Sequence, residues 1–333
     1  MTYSQGSLIV ATDYNGFVND TAGANVNGIW ATGATDKGYG QTALGTVSAA
    51  GTVTATQWAS LVNTISSLGS HQGTAITSRS APVAGNTIDI LAALNTDLTN
   101  TTNNRGNAAA SGTEYGTFSG TTSKTTATGS GQSAWSITFT HTVTFASAAA
   151  TRYFFNAGGI VRLKYGKSST GVDNDDAWNT FSGLCGSINL TGRVNSASQT
   201  IAAQAYTGTT RIGGGGGTQT TLATTTGWYN LTGSPTTIFQ LNNAVSPYSG
   251  EYIRTTATAT STTVLTLVTT WVSDGSSGAG TSANISGGTA VSSPATSIGA
   301  ATAPTTLVTY LPPSSTYLTT ASWGTPTIAA SVA

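Results

Sequence analysis

Two histidines, one cysteine, eleven acidic and eleven basic residues are all the conventional chemistry this 333-residue chain carries. An enzyme needs a base, a nucleophile or a metal site, so these positions come first. His141 stands in the middle of an alternating run, on the side that carries Trp135, Phe139 and Phe145, and reads as a core histidine with a hydrogen-bond partner. His71 follows a helical pattern in Ser70-His71-Gln72-Gly73 and reads as a polar residue at a helix end. Cys185 lies on an apolar helix face and reads as core; alone it can build neither a disulfide nor a cysteine zinc site. Asp173, Asp175 and Asp176 form the one acidic cluster. The glycine and distal carboxylate of a calcium loop do not follow, so the cluster reads as the acidic start of a helix. Glu114 and Glu251 are the only glutamates and have no acidic neighbours, so local sequence nominates no glycosidase pair, while one brought together across subunits stays open. Arg152, Arg162, Lys164 and Lys167, interleaved with Tyr153, Phe154 and Phe155, form the densest basic stretch. That mixture suits nucleic acid, but a neutral total argues against it. The expectation is therefore no enzyme, no cofactor, no metal, no nucleic-acid partner and no membrane.

The elements that would position these residues follow from periodicity. Residues 1–110 read as a helical N-terminal region for attachment or oligomerisation. A weak helix begins near Asp13. Thr54-Ala55-Thr56-Gln57 fits a capping box, followed at helical spacing by Trp58, Leu61, Val62, Ile65 and Leu68, with Gly69 as a stop. A further helix is expected from Thr87 to Asn103. Residues 111–132 read as a linker. Residues 133–273 read as a β-rich structural domain. Its clearest strand puts Trp135, Ile137, Phe139, His141, Val143 and Phe145 on one side and hydroxyls on the other. Ala148–Phe155 reads as a short helix or turn, Ile160–Tyr165 as a strand, and Asp173 onward as an inserted helix ending at Gly186. Strands are expected at Trp228–Leu231, Thr237–Leu241, Glu251–Thr258 and Thr263–Val272, with Gly213–Gly217 as a loop. Thr263–Val272 is expected as an edge strand that a partner could close. Residues 274–333 read as a Ser/Gly/Thr tether and a terminal arm carrying Tyr310 and Trp323, docked on its own domain or on a neighbouring subunit. The fold class expected is α+β, mainly β, with an antiparallel sandwich-like centre and an extended C-terminal arm.

Charged residues make up 7% of the chain, against roughly 25% in an ordinary domain. Its 41 glycines and abundant Thr, Ser, Ala and Asn replace them. Aromatics at 8% distinguish it from a disordered chain. An uncharged surface offers little colloidal repulsion and favours association. No basic, apolar leader opens the sequence and no apolar run is long enough to span a membrane, so synthesis in a cytoplasm is expected.

Several segments taken in order carry a family likeness. They are Leu8-Ile9-Val10-Ala11-Thr12-Asp13-Tyr14-Asn15, Gly38-Tyr39-Gly40-Gln41, Gln57-Trp58, the strand Ile137–Phe145, and Thr270-Trp271-Val272. The most specific is Arg152-Tyr153-Phe154-Phe155-Asn156-Ala157-Gly158-Gly159-Ile160-Val161-Arg162. Over most of residues 1–273 the chain resembles a family of virion structural proteins of tailed bacteriophages, notably T4-like phages of cyanobacteria. That family often has serine where Ala157 stands. The resemblance implies a tail or fibre protein found in the virion. Its partners would be copies of itself, a trimer among the forms, and other virion proteins. Arg152, Phe154, Phe155, Asn156, Gly158, Gly159, Arg162, Trp271, Tyr310 and Trp323 are the expected architectural and interface residues. Three rivals remain at this point: a fibre tip or capsid decoration protein that binds host-surface glycan, a surface-polysaccharide depolymerase, and a bacterial surface-layer or filament subunit.

Overall fold

A computed structural model describes residues 10–19, 24–33, 37–84, 91–108, 114, 122–123, 134–169, 173–192, 199–201, 204–206, 209–215, 218–219, 231–242, 251–274 and 304–333. The N-terminal region folds as α1 (Ala11–Asn19), α2 (Asn27–Trp30), α3 (Ala55–Gln72) and α4 (Leu91–Asn103), with a 3-10 turn at Arg105–Asn107. The capping box at Thr54 is present: its side chain accepts from the Gln57 amide at 3.3 Å, and the Gln57 side chain accepts from the Thr54 amide at 2.8 Å. Those bonds satisfy orphan N–H groups of the first turn. Gly73 closes α3 in the left-handed conformation, four residues beyond the expected stop at Gly69, and carries α3 through His71. The expected start at Thr87 lies outside the described residues.

The remaining elements are β1 (Thr122–Ser123), β2 (Ala134–Thr144), α5 (Ala148–Asn156), β3 (Ile160–Gly166), α6 (Asp173–Cys185), β4 (Ser187–Thr191), β5 (Gln199–Ile201), β6 (Gln204–Tyr206), β7 (Thr209–Ile212), β8 (Thr218–Gln219), β9 (Thr236–Asn242), β10 (Tyr252–Ser261), β11 (Val264–Asp274), β12 (Thr305–Leu311) and β13 (Thr327–Val332). They form two antiparallel sheets, ordered β1-β12-β3-β4-β7 and β13-β2-β11-β10-β9-β8, and a separate β5-β6 hairpin. The protein is α+β: a helical N-terminal part precedes a β-rich remainder. The expected strand Trp228–Leu231 lies almost wholly outside the described residues; Leu231 is in irregular structure.

Two expectations are corrected by the pairing. The segment read as an edge strand, Thr263–Val272, is interior: β11 pairs with β2 on one side, Val268 facing Thr140, and with β10 on the other, Val268 facing Thr256. The terminal segment is no loose arm. β12 lies between β1 and β3, with Val308 opposite Leu163, and β13 adds to β2, with Ile328 opposite Val143. Of the two docking partners considered, the chain's own sheets receive it. The physical reason is alternation at its start: Thr306 and Val308 are buried where Thr305 and Leu307 are partly exposed, and from Thr309 on both faces of the strand are buried.

The two sheets and the helices share one hydrophobic core that runs from Tyr14 and Trp58 through Phe139 and Phe154 to Trp271 and Trp323. Trp271 on β11 donates its indole N–H to Thr306 Oγ1 on β12 at 3.1 Å and lies 5.7 Å from the Trp178 ring on α6. Tyr165 of β3 stacks on Phe239 of β9 at 5.7 Å and shares a hydrogen bond with Thr255 of β10. The Trp271–Thr306 and Tyr165 contacts tie one sheet to the other, and the Trp178 contact seats α6 against β11. No helix among the described residues is long and apolar enough to cross a membrane.

Candidate functional site

The aromatic-Asn-Ala-Gly-Gly segment is built from the end of α5. Ser147 caps the helix start, accepting from the Ala150 amide at 3.0 Å. At the far end the Gly158 amide bonds the Phe155 carbonyl at 3.1 Å and the Gly159 amide bonds the Phe154 carbonyl at 2.8 Å. This is the Schellman closure, which needs a left-handed residue; Gly158 supplies it with φ of 100°. Gly159 is required for a second reason. A Cβ there would stand 2.5 Å from the Phe154 ring and 2.6 Å from the Phe154 carbonyl oxygen. The turn thus folds tightly over Phe154, which packs with Phe145, Phe155 and Tyr310 at centroid distances of 5.2 to 6.2 Å.

Three distant parts of the chain meet at this turn. The Asn156 amide group donates to the Gly38 carbonyl at 3.2 Å, and Arg152 donates to the Thr32 carbonyl at 2.8 Å while lying 5.0 Å over the Tyr153 ring. Gly40 presses on Tyr153 so closely that a Cβ would fall 2.3 Å from the ring. From α3, the His71 Nε2–H donates to the Ala157 carbonyl at 3.0 Å, and Gln72 donates to the Tyr39 hydroxyl at 2.9 Å. From the C-terminal end, Thr319 donates its amide to Gln41 Oε1 at 2.7 Å, and the Gln41 amide group donates to Ser322 Oγ at 2.9 Å. Trp323 is buried immediately after. The Gly38-Tyr39-Gly40-Gln41 segment is therefore the hub of a lock joining the helical region, α5 and the C-terminus.

The electrostatics of the chemistry-bearing residues follow from this packing. Burial lowers the His71 pKa from 6.5 to about 4, partly opposed by its bond to the Ala157 carbonyl; its Nδ1 is buried and has no partner among the described residues. Burial pushes the Cys185 thiol up to about 12, with Arg211 acting weakly the other way. Burial works to raise the Glu114 pKa. Hydrogen bonds from Lys164 and Thr309, with the charges of Arg162 and Lys164, outweigh it and hold the carboxyl below its usual range. Glu114 accepts from Lys164 at 2.7 Å, from Arg162 at 3.2 Å and from Thr309, so it clamps its segment onto β3 and β12. Asp97 on α4 is buried with Arg79 and accepts the Thr77 amide at 3.0 Å. Glu251 is buried and accepts from Ser273 at 3.0 Å. His141 is buried in β2. Among the described residues no three His, Cys, Asp or Glu side chains are grouped to hold a metal.

Of the ten residues named from sequence, Arg152, Phe154, Phe155, Asn156, Gly158 and Gly159 fall together at the lock, with Tyr310 against Phe154. Trp323 follows Ser322, which bonds the hub. Arg162 lies elsewhere, bonded to Asn189 of β4 at 2.8 Å and to Glu114. Trp271 lies between the sheets. Phe154, Phe155, Trp271 and Trp323 are buried within their own chain, where they pack architecturally. Sequence reading gave Gln41 no structural role, and missed Thr319, Ser322 and the His71–Ala157 bond. The positive-φ glycines at 38 and 40 are the signal that marks the hub.

Comparison with known proteins finds no matching family model, no matching curated protein and no matching solved structure.

Proposed function

We propose that this chain is a non-enzymatic structural protein of a tailed phage virion, a component of the tail or its fibres that assembles with its own copies and with other virion proteins. The observation that supports it most is the use made of the reactive side chains. His71, Glu114, Asp97 and Glu251 each act as a strut between segments distant in sequence. Such placement gives rigidity, and it leaves these groups engaged where a catalytic acid or base must be free to exchange protons with a substrate. The segments that carry the family likeness support the same reading, since Gly38–Gln41 and Arg152–Gly159 form one interlock.

The test pairs two measurements. Antibody to the chain should follow infectious particles through a density gradient. The purified protein incubated with host-surface polysaccharide should release no sugar. Sugar release that disappears in Glu114→Gln or Glu251→Gln would replace this reading with the depolymerase one.

A further inference from the structure

The outer face of the six-stranded sheet has an unusual composition. The outward positions 138, 140, 142 and 144 of β2 are all threonine. In register across the sheet, Thr140 stands between Ser331 of β13 and Val268 of β11, and Val268 stands opposite Thr256 of β10. The next row sets Thr142 against Ala329 and Thr266. These positions are half-buried or exposed; their inward neighbours are buried on β2, β11 and β10 and half-buried on β13. On β13, β2, β11 and β10, Arg254 is the only charged side chain among the outward residues whose exposure is described, and it is held over the Tyr252 ring at 5.3 Å.

We infer that this hydroxyl-and-methyl face is the surface through which a second copy of the chain packs, face to face. The inference rests on the proposed homo-oligomeric reading and assigns its surface. Three properties select a second copy. The face is self-complementary: a two-fold pairing brings the same patch onto itself, and a patch without a field of like charge meets no repulsion there. Threonine, serine, valine and alanine lose little rotamer freedom when covered, whereas a face kept for solvent carries lysine and glutamate, which lose much more. The size also suffices. Three strands of ten or eleven residues and β13 of six, at ~4.8 Å spacing and ~3.3 Å rise, cover roughly 600 Å². Two such faces bury about 1,200 Å², within the range of specific interfaces. Aligned sheet-on-sheet packing about 10 Å apart accommodates side chains of this size.

The test uses the full chain. Sedimentation across a concentration series should show a dimer or a multiple of it, and Thr140→Lys with Thr266→Lys should weaken self-association at least about tenfold while far-ultraviolet circular dichroism stays unchanged. Should the lysine variant misfold, Thr140→Cys supplies a second readout: a short thiol cross-linker should give covalent dimer from Thr140→Cys and none from Tyr317→Cys, an exposed site outside the strands. A wild-type chain that is monomeric at every soluble concentration overturns the inference. So does a lysine variant that self-associates normally, or a face that instead retains host polysaccharide and loses it on the lysine substitutions. A monomer that still travels with particles overturns this surface and leaves the virion reading standing; absence from particles sinks the virion reading and leaves the self-association result standing.

Discussion

His71 has one ring nitrogen bonded to the Ala157 carbonyl and the other turned toward the interior. Its folded pKa of about 4 lies below the ordinary 6.5. The unfolded chain therefore takes up a proton first as pH falls. The stability this residue contributes is complete above pH 6.5, declines below it, and is lost as pH passes through about 4. The amount is on the order of 3 kcal/mol. Urea midpoints measured across that window should fall with pH in the wild type and fall less in His71→Gln; identical slopes would remove His71 from the lock. Glu114 acts in the same direction at lower pH, because its folded pKa is also depressed and its clamp is lost as it protonates. Gly159 gives a prediction independent of pH. Its missing Cβ leaves room for the backbone carbonyl of Phe154, which cannot step aside, so Gly159→Ala should destabilise by about 2–4 kcal/mol. Gly45, with nothing within 4 Å of an added Cβ, should tolerate alanine within about 0.5 kcal/mol. Equal denaturation midpoints for the two variants would contradict the tight turn.

At the scale of elements, the C-terminal segment is where physical expectation shifts most. β12 is an interior strand of its sheet, and Gln41 is bonded to Thr319 and Ser322. Removing residues 274–333 should therefore leave a chain that fails to unfold cooperatively, where a detachable arm would leave a folded core. Trp323→Ala, a milder change, should cost about 3–5 kcal/mol in equilibrium unfolding. Much of this architecture was legible in the residues. The Trp58 helix and the β2 strand declare themselves because eighteen and eleven residues keep a clean period. α5 and the turn after it were visible through the paired glycines. β4 and β7 were not, because Ser187–Thr191 and Thr209–Ile212 are too short and too polar to show an alternation. β12 carries an apolar alternation, but a low-complexity stretch precedes it. Its partner β3 lies about 140 residues away, and nothing local to either strand encodes that pairing. The lock was half legible: the residues of α5 stood out, while their partners at Gly38, Gln41 and Ser322 are chosen by three-dimensional proximity alone.

The molecule joins a large internal core, with a small second cluster of Ile160 and Leu311, to a sequence with few charges. Its ionisable groups are drawn into struts, and its broadest regular face offers hydroxyls and methyls. A chain of this kind gains rigidity from packing, and neighbours could cover it without like-charge repulsion, the combination that the proposed particle subunit requires. Salt should accordingly alter its self-association little, since screening acts on charges and Arg254 is the only charged residue described on the proposed face; a steep salt dependence in sedimentation would argue for an ionic interface instead. The central claim, that this is a structural component of a tailed phage, is tested most directly by a density map of purified particles. The account predicts that the two sheets and the α5 lock fit a repeated density in the tail or its fibres. A particle whose density is fully explained by other chains, with this one absent from it, would contradict the account.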